Sequence, residues 1–132
     1  MKIESNHTKI NASASKTFDL VSNCNNFGTS LPPEVEKWES TENTCSFEIS
    51  GMAKINIEII DKQPNKSVTF KATANQPIGM VIVGNIEDHG DSCNAYINLD
   101  ADVPIALSMM VKKPLEKFVN VLMEKIKEVA EK

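Results

Sequence analysis

The sequence predicts an α+β fold in which a curved antiparallel sheet of about seven strands wraps a long C-terminal helix. Two observations support this prediction. Apolar and polar residues alternate with a period of two through most of residues 44–101, and apolar residues recur at helical spacing after residue 115. Period-two alternation indicates a sheet with one wet and one covered face, and an amphipathic helix can supply the cover. The length of 132 residues suits one domain over residues 1–132.

The first elements are expected to be a strand and two short helices. Residues 2–12 are interpreted as a strand, although their alternation is poor. Ser13 or Ser15 can cap a helix that follows, because a serine oxygen accepts from the free N–H groups of a first turn. A second short helical turn is expected before Leu31-Pro32-Pro33, since the residue before a proline avoids the α region.

Five or six strands are expected in the middle of the chain. The clearest alternation is that of Ile55, Ile57 and Ile59 with polar neighbours, while residues 35–41, which include Trp38, form the weakest candidate. The strand ranges are 35–41, 44–50, 54–59, 68–73, 78–86 and 95–101. Turns are predicted at residues 63–66 and 88–91, both rich in turn-forming residues.

The last segment predicts the strongest helix of the chain. Its apolar stripe consists of Leu115, Phe118, Val119, Leu122, Ile126 and Val129. The N-terminal part of this helix, Ile105–Val111, is apolar on all sides. Pro114 either starts this helix or kinks a longer one.

The composition argues against several classes of function. The net charge is −4, and all fourteen basic residues are lysine. An acidic chain without arginine lacks the positive surface of a nucleic-acid binder and the planar group suited to bidentate phosphate clamping. The first residues contain no apolar signal segment, and no apolar run approaches the length of about 18 residues that a membrane helix needs. A cytoplasmic protein without a membrane span is therefore expected.

The three cysteines, Cys24, Cys45 and Cys93, predict buried free thiols. They lie far apart in the sequence and show no zinc-type spacing, so neither a metal nor another cofactor is expected. A nucleophilic cysteine would need a nearby base or helix N-terminus, and the local sequence supplies neither.

Few residues could carry catalysis. His89 lies between two aspartates in a predicted turn, where it could bind a metal or act as a base, but it is expected to be a solvated turn residue. His7 is expected on the outer face of the first strand or in a pocket. The carboxylates of the strands fall on the polar parity and are interpreted as a solvated face: Glu36, Glu39, Glu42, Glu48, Glu58, Asp100 and Asp102. A catalytic pair would have to point into the core.

Three segments resemble the START-like superfamily, which includes the Bet v 1 allergens and polyketide cyclases. They are residues 10–18 (INASASKTF), residues 25–27 (NNF) and residues 111–118 (VKKPLEKF), which look like the family's opening, its inter-helix segment and the start of its final helix. The order of elements resembles that family's helix-grip fold over nearly the whole chain. The glycine-rich loop of the plant allergens is missing. The resemblance implies apolar ligands and several possible chemistries, so the fold alone does not determine the function.

The preferred hypothesis is a small-molecule binding protein without catalysis. A lipid or polyketide-like ligand would lie between the sheet and the long helix. The predicted wall comprises Phe47, Ile57, Phe70, Met80, Ile82, Met110, Phe118 and Leu122.

Two alternatives are kept. An enzyme of the cyclase or dehydratase kind would need an inward side chain, for which His7 and Tyr96 are the candidates. A protein-interaction module would use Ile105–Val111 and the sheet edge. The oligomeric state and the ligand's identity remain open.

Overall fold

The computed structural model describes residues 1–28, 35–49, 53–74, 79–102 and 105–132. It contains eight strands and two α-helices in these ranges, together with a 3₁₀ helix. The strands are β1 (Lys2–Glu4), β2 (Thr8–Ile10), β3 (Val35–Ser40), β4 (Thr44–Ile49), β5 (Ala53–Gln63), β6 (Ser67–Ala74), β7 (Gly79–Asp88) and β8 (Cys93–Asp102). The helices are α1 (Ala14–Val21), the 3₁₀ helix (Cys24–Gly28) and α2 (Ile105–Ala130).

The strands form one antiparallel sheet in the order β1-β8-β7-β6-β5-β4-β3, and β2 also pairs with β8. From β3 to β8 each strand pairs with the next one along the chain, so the central sheet is a meander. The predicted α+β architecture, an antiparallel sheet with a long C-terminal helix, is therefore confirmed. The predicted turns at 63–66 and 88–91 are also confirmed as connections between paired strands.

The expected first strand over residues 2–12 is wrong in one respect, because it is two short strands. Glu4 pairs with Asn98 and Thr8 with Ala95, so four steps along the N-terminal strand match three steps along β8. This extra residue is a β-bulge. Buried Ser5 fills the break, since its Oγ accepts from Ile97 N at 2.8 Å and its own N–H donates to Ile97 O.

The structure resolves the two alternatives for the cap of α1 in favour of Ser13. Ser13 Oγ accepts from Lys16 N at 3.1 Å, as an N-cap side chain does. Thr17 links the start of α1 to the sheet, since its hydroxyl donates to Ser13 O and lies 3.4 Å from Cys93 Sγ on β8. The second predicted helical turn is the 3₁₀ helix, whereas Leu31-Pro32-Pro33 lies outside the described residues.

The final helix, α2, runs continuously from Ile105 to Ala130, so the apolar segment Ile105–Val111 forms its N-terminal part, as predicted. Pro114 therefore lies inside a longer helix and does not start it. Among the described side chains of α2, the buried ones are Val119, Met123, Ile126 and Ala130. The helix packs chiefly on α1, β1, β2 and β8. Its end is held where Glu131 Oε2 accepts from Asn11 N at 2.9 Å.

The two faces of the sheet differ as the alternation predicted. The inner face carries the buried core, which includes Phe47, Phe70, Ile82, Ile97 and Leu99. The outer face carries the carboxylates, which are exposed or half-buried at every position named above. All three cysteines are buried free thiols, as expected.

A second irregularity places Trp38 on the inner face. The register of β3 against β4 shifts between Glu36 and Glu39, and Lys37 has a φ of 53°. The extra residue turns the following side chain inward, so that Trp38 stacks on Phe47 with ring centroids 5.6 Å apart. The weakest predicted strand is thus a real edge strand with a bulge.

Candidate ligand-binding cleft

The inner face of the sheet is unevenly covered. On β8 the inner side chains Ala95, Ile97 and Leu99 are at most 4% exposed. On β5 the side chains with the same parity, Ile55, Ile57 and Ile59, are only half-buried. Because α2 packs chiefly on the β1, β2 and β8 side, cover decreases toward β5. An apolar surface therefore stays partly open on the inner face.

A small residue lies in the middle of the inner face. One cross-strand row runs from Cys45 through Ile57 and Ala72 to Met80. Ala72 is fully buried, while the larger side chains on either side of it, Ile57 and Met80, remain half-buried. The row is thus apolar from Cys45 to Met80, and its smallest side chain lies between two longer ones.

The helix contributes a second half-buried apolar strip. Leu115 and Leu122 are about two helical turns apart and thus lie on the same side of α2, with Phe118 beside them. All three are half-buried and pack against the core beside the buried stripe that starts at Val119. We define the cleft as this strip together with the half-buried inner side chains of β5 and Met80.

The structure brings most of the predicted wall residues to the inner face of the sheet or the covered side of α2. Phe47, Phe70 and Ile82 are buried core residues. Ile57, Met80, Phe118 and Leu122 are half-buried members of the cleft. Met110 is the exception, because it is 72% exposed. Position 110 precedes Val119 by about two and a half helical turns and therefore faces away from the buried stripe.

Sequence reasoning missed three members of the cleft. Ile55 and Ile59 share the parity of Ile57, and Leu115 belongs to the predicted helix stripe. Parity and periodicity thus identified the correct faces for all three. They do not reveal which members of a face stay open, because that depends on where α2 lies over the sheet.

Two cysteines far apart in the sequence meet beside the cleft. Cys24 of the 3₁₀ helix and Cys45 of β4 are buried, and their thiols interact. The hydrogen bond from Cys45 lowers the pKa of Cys24 against the effect of burial, and the ammonium of Lys62 lowers it further. The same hydrogen bond, together with burial, raises the pKa of Cys45. The backbone supports this contact, since Cys24 N donates to Glu42 O at 2.8 Å.

The two candidates for catalysis lie together on the outer face. The ring of His7 stacks on that of Tyr96 with centroids 4.1 Å apart and planes 2° apart. His7 Nε2 also lies 3.0 Å from Glu4 Oε2. Of the two positions considered for His7, the outer face is therefore the observed one, and neither side chain faces the cleft. His89 is exposed in its turn, as predicted.

The described part of the chain buries only two polar side chains, Ser5 and Thr17. Its core therefore contains no carboxylate, imidazole or ammonium group. The same ranges hold no cluster of three His, Cys, Asp or Glu side chains that could bind a metal ion.

A concavity of about 650 Å³ on the sheet carries mainly exposed polar side chains of β3 to β6, among them Glu39, Glu58 and Lys71.

The fold is the helix-grip fold of START-like proteins, as comparison with solved structures shows. A START superfamily protein from Mycobacterium smegmatis matches with a TM-score of 0.75 at 15% identity, covering 98% of this chain and 97% of that chain. Truncated norcoclaurine synthase from Thalictrum flavum matches with a TM-score of 0.75 at 14% identity, covering 98% and 92%. The Aha1 dimer from Colwellia psychrerythraea matches with a TM-score of 0.65 at 16% identity, covering 99% and 96%.

Sequence comparisons add no closer assignment, since no family model and no curated protein matches the chain. The described helices include none whose length and apolar character would let it cross a bilayer. At these identities the solved structures define the fold, and the function has to be argued from the cleft itself.

Proposed function

We propose that this protein binds a small apolar molecule, such as a lipid or a polyketide-like metabolite, in the cleft and does not transform it. The observation that carries the proposal is that three side chains on the inner face of β5, Ile55, Ile57 and Ile59, are only half-buried. Buried apolar area stabilises by roughly 25 cal/mol per Å². A ligand that covers these side chains therefore gains binding free energy from surface that the fold leaves open.

The chemistry of the surroundings supports binding over turnover. Catalysis by side chains needs an acid, a base or a nucleophile that reaches the substrate. His7 and Tyr96 stack on the opposite face of the sheet from the cleft.

The buried free thiols also suit a reducing compartment, and we propose a cytoplasmic location on that ground.

The test is a pair of variants in one strand. Ile57 is half-buried in the cleft, whereas Ile60, the extra residue of a β-bulge, is 52% exposed. Thermal shifts are recorded with fatty acids, sterol-like and polyketide-like compounds, and each stabilising compound is recovered for mass analysis. We expect the stabilisation to be lost in Ile57→Gln and retained in Ile60→Gln, with the compound unchanged.

Three results would contradict the proposal. If no compound stabilises the protein, or if Ile60→Gln removes the effect as fully as Ile57→Gln, the cleft is not the binding site. If a compound is converted, the protein is an enzyme. Loss of conversion in His7→Ala or Tyr96→Phe would then assign the chemistry to the outer face.

A further inference from the structure

The first turns of α2 expose large apolar side chains. Met109 is 88% exposed and Met110 is 72% exposed, compared with 2% for Met123 near the end of the same helix. Leaving two neighbouring methionines in water forgoes the burial that other apolar side chains of α2 obtain. Single exposed apolar residues are ordinary, but an adjacent pair on a helix suggests a surface that something covers.

This part of α2 extends beyond the cover of the sheet. Lys112 precedes Val119 by about two helical turns and therefore lies on the same side of the helix. Val119 is fully buried, yet Lys112 is exposed. The side of α2 that packs in its second half is thus open to solvent at position 112. Met109, Met110, Lys112 and Lys113 are all exposed in this part of the helix.

The charges around the methionines are positive although the chain carries a net charge of −4. Lys112, Lys113 and Lys117 are all exposed, and the one acidic residue among them, Glu116, is half-buried. The exposed Asp102 lies on the outer face of the sheet, on the opposite side from α2. We call Met109, Met110, Lys112, Lys113 and Lys117 the basic apolar tip.

We propose that the basic apolar tip docks this protein on an anionic lipid surface. The two thioether side chains would enter the boundary between headgroups and acyl chains, while the lysines reach the lipid phosphates with their long stems. A bilayer provides apolar depth and negative charge in one surface, which matches the two features that the tip combines. Docking does not require the cleft to hold a ligand.

The outer face of the sheet offers a matched control patch. Lys71 and Val81 lie directly opposite each other on β6 and β7, and both are exposed, Val81 to 40%. They provide the same two kinds of side chain at another place in the same protein. Lys71→Gln with Val81→Ser therefore removes one charge and one apolar side chain without touching the tip.

The experiment measures co-flotation of the full chain with vesicles. Vesicles of phosphatidylglycerol and phosphatidylcholine are compared with vesicles of phosphatidylcholine alone. We expect binding to the anionic vesicles that weakens as salt rises. Lys112→Gln with Lys113→Gln should lower the partition coefficient about tenfold or more, and Met109→Ser with Met110→Ser should do the same. The control pair should change it less than about twofold.

Several outcomes would overturn the proposal. They are no binding by the unmodified protein, equal binding to neutral and anionic vesicles, or an equal loss in the control pair. A concentration-dependent dimer that disappears in the methionine variant, without vesicle binding, would show that a second copy covers the tip. Circular dichroism melts establish that each variant folds. Ligand stabilisation without vesicles should be unchanged in the tip variants, so failure of docking remains distinct from failure of the cleft.

Discussion

At the scale of single residues, the contact between Gly28 and Trp38 determines how closely the 3₁₀ helix approaches β3. A Cβ atom at position 28 would overlap Trp38 Nε1 and lie 2.9 Å from its Cδ1. Trp38 also stacks on Phe47, which limits how far the indole can move. An added methyl group at position 28 therefore meets a side chain that is already packed.

This contact predicts that Gly28→Ala destabilises the protein. The added methyl group displaces the indole, and overpacking of this kind costs about 1–3 kcal/mol. Gly79→Ala is the matched control, because a Cβ there meets nothing within 4 Å. Urea unfolding followed by the fluorescence of Trp38 should show a lower midpoint for the first variant alone. Equal stability of the two variants would mean that the 3₁₀ helix can shift away from Trp38.

Glu131 gives a second prediction at the residue scale, concerning pH. The backbone N–H of Asn11 and the ammonium of Lys127 hold the pKa of the Glu131 carboxyl below its ordinary range. A carboxylate whose pKa is lowered by folding adds stability above its unfolded pKa, and that stability is lost as pH falls through the folded pKa. The difference in stability between the protein and Glu131→Gln should therefore be present near neutral pH and shrink in acid.

The measurement is urea unfolding at several pH values from about 7 to about 3. Glu124→Gln is the control, since Glu124 is exposed on the same helix. A difference that does not change with pH, or that is as large for Glu124→Gln, would contradict the role assigned to the Asn11 and Lys127 contacts. The ion pair to Lys127 is at the surface, so added salt should weaken it.

At the scale of elements, α2 combines three environments along one helix. Its first turns carry the exposed tip, and further along the half-buried strip of Leu115, Phe118 and Leu122 lies beside the buried stripe that starts at Val119. The amphipathic pattern alone does not separate these regions. They differ because the sheet and α1 cover only part of the helix.

The division of α2 predicts the effect of two truncations of large side chains. Met123 is 2% exposed, so Met123→Ala should cost about 2–5 kcal/mol through lost contacts and a cavity. Phe118 is half-buried, so Phe118→Ala should cost less, although phenylalanine is the larger residue. Denaturant unfolding of both variants measures the order. A larger loss in Phe118→Ala would show that Phe118 is core and that the strip is not an open wall.

At the scale of the whole molecule, the cleft results from an imbalance between one helix and a wide sheet. A path of seven hydrogen-bonded strands presents more apolar area than α2 can cover from its position on the β1, β2 and β8 side. The short elements α1 and the 3₁₀ helix cover further parts, which is why Phe47 and Cys45 are buried. The inner side chains of β5 remain half-open between these covers.

The sequence by itself was sufficient for the class of fold and for the face of most side chains. Alternation placed Ile57, Phe70 and Ile82 on the inner face and the glutamates on the outer face, because a strand has only two sides. Helical spacing in the same way identified Val119 and Ile126 as positions of the packed stripe. These assignments depend on local geometry alone.

The tertiary structure decided everything that depends on distances between remote segments. The bulges that split β1 from β2 and turn Trp38 inward arise from the register between strands, which no single strand shows. The meeting of Cys24 with Cys45, the stacking of His7 on Tyr96 and the exposure of Met110 depend on how the elements are arranged. Periodicity reports which way a side chain points within its own element. Whether a point on that face is covered depends on another element elsewhere in the chain. Here α2 leaves the inner side chains of β5 half-open, and the sheet and α1 leave the start of α2 exposed.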